Sequence, residues 1–150
     1  MNAPVRLVSD WQTHLKFCGR EPKTLEELAI ATADYENRRR LAEIKVLRAK
    51  LGLLDQFLPA LAARGINLAH RNLCTYDHGK TLRIQPAVCS GDDKLFAALV
   101  ELGFREIERK AWGSREEQVK LKHGRSLVVA LDVTKAETPT PAPDAKAVAA

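Results

Sequence analysis

The chain has 150 residues, 45% of them apolar and 29% charged, a size and composition that suit one globular domain and argue against general disorder. Its formal charge of +5, from 24 Lys and Arg against 19 Asp and Glu, suits an anionic partner without requiring one. Cys18, Cys74 and Cys89 form no CxxC motif and no apolar run approaches ~18 residues, so a disulfide framework, a zinc ribbon and a membrane-spanning helix are excluded, and a cytoplasmic protein with reduced thiols is expected.

The first element expected is a helix over 10–18. Ser9 or Asp10 caps it, Gly19 ends it, and Trp11, His14, Leu15 and Cys18 share one face. A second helix starts at Leu25 behind a Thr24–Glu27 capping box, in which each side chain serves an otherwise unpaired backbone N–H. No proline interrupts it until Pro59, which should end or kink it near Leu58 and open a short final turn closed by Gly65.

Beyond Gly65 the period changes. NLAHRNLCTYDHGKTLRIQP reads as a hairpin with Asp77, His78 and Gly79 at its turn, stopped by Pro86. SGDDKLFAALVELGF reads as a helix capped by Ser90, with Asp92 and Asp93 at its positive end and Leu95, Phe96, Leu99 and Leu102 facing inward. Three strands follow, FREIERKAW, EQVKLKH and RSLVVALDV, joined near Gly113 and at His123-Gly124. Phe104 and Ile107 fall on opposite faces of the first of these unless a bulge intervenes. The expected class is α+β: an N-terminal helical hairpin or long helix packed with an antiparallel sheet, in the order ααββαβββ. One domain spans 1–135, with a helical half over 9–64 and a sheet half over 66–135. The Pro/Ala-rich residues 136–150 are expected to be a disordered tail.

Arg38, Arg39 and Arg40 run into Ile44, Leu47, Leu51, Leu54, Leu58 and Leu61, whose spacings of three and four make a side-by-side packing seam. A basic leucine zipper does not fit, because residues 21–36 hold five acids against Lys23 alone and would be repelled by the phosphates they must follow. Gly52 in mid-seam and Pro59 leave only about two heptads, short of what makes a free coiled coil. The seam therefore either packs within the chain or lets it self-associate through Ile44, Leu47, Leu51, Leu54 and Leu58. The arginine triplet is either a solvated face or a binding cluster.

EQVKLKH alternates Val119 and Leu121 with Gln118, Lys120 and Lys122. With Arg125, and with Arg109 or Arg115 alongside, the lysines form a candidate basic face for phosphates, or else guard an edge against aggregation. Trp112 is placed to stack on a base, to anchor a partner, or to pack in the core. His14 with Cys18 and His70 with Cys74 share an H-x3-C spacing, but a third ligand is missing, and turn chemistry explains Asp77 with His78 without catalysis. No phosphate-loop, nucleophile-elbow, zinc-protease or dinucleotide motif occurs.

No catalytic residue, metal or cofactor is implied. The expected function is a non-catalytic interaction protein that binds a partner protein and can dimerise through its long helix. Its character suits an accessory or inhibitory protein of a bacterial mobile element such as a phage or plasmid. Nucleic-acid binding through the strand lysines, Arg125 and the arginine triplet is the alternative, and an unrecognised nuclease the third.

Overall fold

The computed structural model describes residues 5–86 and 91–136. The cap expected at Ser90, Cys89, and the tail from 137 onward lie outside them. The class is α+β, a long helix followed by a strand-rich half.

Helix α1 runs Leu25–Asp55, about 46 Å at 1.5 Å per residue. Thr24 caps it, its hydroxyl accepting from the Glu27 amide at 3.1 Å, while the Glu27 carboxylate accepts from the Lys23 amide at 2.8 Å. Arg20 donates twice to the same carboxylate and, helped by these bonds, holds it down at about 2. α1 ends before Pro59, which falls in the first turn of α2, Leu58–Ala63, where a missing N–H costs nothing.

The helix expected over 10–18 is not formed. A single 3-10 turn covers Asp10–Gln12, and Phe17 then pairs with Arg20 around Cys18 and Gly19, both at positive φ. That pair makes a tight two-residue turn, which a helix cannot contain. Of the expected apolar face Leu15 is buried while Trp11 stays 75% exposed. Val8 and Leu15 close on Ala31 in a small cluster separate from the main core.

The sheet contains β1 Asn72–Cys74, β2 Leu82–Gln85, β3 Arg105–Trp112, β4 Glu116–His123 and β5 Leu127–Thr134, in the order β1-β2-β5-β4-β3. It is mixed rather than wholly antiparallel, because β5 runs parallel to β2. After β2, helix α3 (Asp93–Glu101) and the β3–β4 hairpin lie to one side, and β5 returns between β2 and β4. Its near-continuous apolar run, LVVALDV, is what a strand with a neighbour on each side needs. A register shift between Glu106 and Glu108 puts a bulge at Ile107, which is left 53% exposed and does not join Phe104 in the core.

Leu47, Leu54 and Leu61 pack on Leu82 and Ile84 of β2, Val119 and Leu121 of β4, and the odd-numbered residues of β5, with Leu95 and Leu99 of α3. Among the described residues the helices pack on that face and the opposite face carries none. Among the described residues no helix is long and apolar enough to cross a membrane.

Candidate functional site

Alternation along β2 sends Leu82 and Ile84 into the core and Arg83 to the helix-free face. Arg83 is nevertheless only 5% exposed. One of its terminal nitrogens donates to both oxygens of Asp132 on β5, at 3.1 and 2.9 Å. The guanidinium carbon lies 5.1 Å from the centre of the Tyr76 ring and 4.9 Å from that of Trp112. Arg83 Nε is buried and has no acceptor among the described residues. Tyr76 and Trp112 are 72% and 51% exposed, so their outer surfaces face solvent. Between them lies a cleft of about 370 Å³, completed by Thr81, Gln118, Lys120 and Ala130.

Tyr76 is held there by its loop. The Thr75 hydroxyl accepts from the Gly79 amide at 2.9 Å and donates to Asp77, which also accepts from the Thr81 amide at 2.8 Å. Burial pushes the Asp77 carboxyl up, but these hydrogen bonds outweigh it and its pKa falls below the usual range. Glu43 of α1 accepts from the Thr75 amide at 2.7 Å and ties the loop to the helix. Its carboxyl too is lowered, the Thr75 amide and Arg40 overcoming burial. His78 and Gly79 adopt positive φ in the turn, and a Cβ at Gly79 would collide with Val46. Cys74, buried beside the loop, has its thiol pushed up by burial, the opposite of an activated nucleophile.

The candidate residues scatter around this cleft. Trp112 forms one wall and Lys120 part of the rim, where its ammonium sits 2.5 Å from Glu108, which also holds Lys110 at 2.5 Å. Lys122 and Arg125 are exposed towards the other end of the sheet. Arg115 is exposed in the β3–β4 turn. Arg109 sits opposite Val119, on the helix side, paired with Glu106 and Glu117 over the Phe96 ring. In the triplet, Arg38 pairs with Asp34 at 2.8 Å, while Arg40 binds Glu43 at 2.7 Å, Asn72 at 2.8 Å and the Leu73 carbonyl. Arg40 is thus a strut between α1 and β1. Only Arg39 has no ion pair among the described residues. Of the seam, Leu47 and Leu54 are buried in the chain's own core with Leu51 packed beside them, whereas Ile44 and Leu58 are 39% and 41% exposed.

Sequence reasoning missed Arg83 and Tyr76. The signal for Arg83 was Asp132, an acid inside an otherwise apolar strand that needs a buried counter-charge. Finding that counter-charge required the parallel β2–β5 pairing. Comparison with protein-family models, with curated proteins and with solved structures returned no match.

Proposed function

We propose that this chain is a cytoplasmic, non-catalytic binding module that engages a partner protein through the helix-free face of its sheet, seating one partner side chain in the Tyr76–Trp112 cleft. One observation carries the reading: a buried arginine flanked by two exposed aromatic rings at an open cleft. The ring surfaces left in solvent on either side of the arginine give a partner side chain an aromatic cleft to fill. Trp, Tyr and Arg are also the residues that most often dominate interface energies. The acid groups nearby support binding over catalysis, since Asp77 is engaged by its own loop, Asp132 by Arg83 and Glu108 by two lysines.

A photo-reactive phenylalanine analogue placed at Tyr76 or at Trp112 should crosslink a common protein in the native host, and one placed at exposed Lys45 on the outer face of α1 should not. With that protein purified, Trp112→Ala should weaken its binding by at least about tenfold with the fold intact by circular dichroism. Equal crosslinking from Lys45, or unchanged affinity of Trp112→Ala, would remove the reading.

A further inference from the structure

Arg105 and Lys122 are direct partners in the β3–β4 ladder, at the end remote from the hairpin turn. Like charges facing each other across strands destabilise a sheet unless something lies between them. Neither residue forms an ion pair among the described residues, and the nearest acids are committed elsewhere. Glu106 is held by Arg109, and Glu108 by Lys110 and Lys120. A recess of about 510 Å³ opens beside the two cations, lined by Gly103, Arg105, Ile107, Lys122, His123 and Gly124 with no carboxylate among them. Arg125, exposed in the adjoining turn, also has no acid partner among the described residues.

The surroundings are fixed rather than loose. His123 packs edge-on against Phe57 at 4.8 Å and tilted against Phe104 at 4.9 Å. Lys50 of α1 donates to the Ser126 carbonyl at 2.7 Å and holds the β4–β5 turn against the helix. Ile107, lifted out by the bulge, gives the recess one exposed apolar wall.

We infer that Arg105 and Lys122 bind the phosphate group of a small molecule, free or as a phosphate monoester. Two unopposed cations match a phosphate dianion, which carries about −1.5 to −2 at pH 7, better than they match a single carboxylate. The recess is larger than a phosphate needs, and Ile107 provides a contact for an organic group attached to it. A nucleic-acid strand fits less well, because the cations that follow Lys122 along the track are already matched, Lys110 and Lys120 by Glu108 and Arg83 by Asp132.

The test is titration of the full chain with inorganic phosphate, phenyl phosphate, benzoate and a ten-residue thymidine oligonucleotide, followed by amide chemical shifts at constant ionic strength. Saturable shifts at residues 103–107 and 122–125 with either phosphate support the site; tighter binding of phenyl phosphate identifies a monoester, and equal binding identifies free phosphate. Benzoate should bind at least about tenfold more weakly, and Arg105→Gln or Lys122→Gln should cost phosphate binding about tenfold or more while Lys110→Gln changes nothing. Both variants should unfold at temperatures no lower than the parent chain in phosphate-free buffer, since each removes a repulsion. The inference is overturned by no saturation up to about 20 mM, beyond the millimolar range of weak specific sites. Benzoate binding as tightly as the phosphates, unaffected variants, or an oligonucleotide that binds more tightly through the same residues with a steep salt dependence would overturn it as well.

Discussion

Arg83 faces Ala130 across the parallel β2–β5 pair, so its side chain reaches two residues along β5 to Asp132. Both are mostly withdrawn from water, with side chains 6% and 11% exposed. Their mutual attraction has to offset the desolvation of two ions, and such pairs commonly contribute little net stability while costing much when halved. Asp132→Ala should therefore lower the unfolding free energy by about 3–5 kcal/mol in urea titrations, because it strands Arg83 among aromatic rings. The double replacement Arg83→Met, Asp132→Leu should recover most of that loss, since it fills similar volume without charge. The proposed partner binding should not recover in the double variant, whose cleft then lacks the guanidinium that Tyr76 and Trp112 flank. An Asp132→Ala cost below about 1 kcal/mol would mean that the pair is not effectively buried. Asp132 advertised itself in the sequence as an acid within LVVALDV; its partner did not, because Arg83 in LRIQ reads as any outward strand residue until strand order is known.

The elements that were legible are those fixed by local chemistry. Thr24, Glu27 and Pro59 bracket the long helix, and Asp77 to Gly79 mark their turn, because caps, prolines and left-handed residues act within a few positions. The first expected helix failed for a reason of the same range: its face was real at Leu15, but Cys18 and Gly19 turn the chain before a helix can consolidate. Strand order was not legible, since β5 pairs with β2 across 47 residues of chain, Leu82 with Val129 and Arg83 with Ala130. The loop over 75–81 shows the elements acting on one another, because Glu43 of α1 supplies the anchor that positions Tyr76. Glu43 has a folded pKa below its ordinary value, so its charge adds stability that is fully present above the unfolded carboxylate pKa of about 4.3 and is lost as pH falls through the folded value. Replacement by Gln keeps the shape and an acceptor but removes that charge. The melting temperature of Glu43→Gln should lie below that of the parent chain from about pH 6 to 8, and the gap should close as both are taken below about pH 4. A gap that persists unchanged into acid would show that the carboxylate charge does not hold the loop.

At the scale of the whole molecule the decisive quantity is how much of the basic excess is already matched internally. Lys110 and Lys120 share Glu108, Arg83 holds Asp132, and Arg38 and Arg40 bind acids of their own helix, so the middle of the face once expected to be broadly basic is matched. Among the described residues its unpaired cations stand at the ends, Arg115 at one and Arg105, Lys122 and Arg125 at the other. The leucine seam is similarly committed. Leu47 and Leu54 have almost no exposed surface, and the sheet is what they meet. Helix α1 thus has two supports, the sheet under its C-terminal half and the small Val8–Leu15–Ala31 cluster under its N-terminal half. A Leu47→Glu, Leu54→Glu variant separates packing within the chain from packing between chains. If the two leucines held copies together, it would sediment as a folded monomer. Packed against the sheet, they would instead carry two carboxylates into the core, and truncating one buried leucine alone costs about 2–5 kcal/mol against a total stability of 5–15 kcal/mol. The expected result is loss of the cooperative melting transition, together with a sedimentation coefficient falling towards that of an expanded chain. The companion variant Ile44→Glu, Leu58→Glu alters the two exposed seam positions, and its melting temperature and sedimentation should match those of the parent chain. A folded Leu47→Glu, Leu54→Glu monomer would show that the sheet does not depend on α1, and the assignment of the seam to the chain's own core would have to be withdrawn.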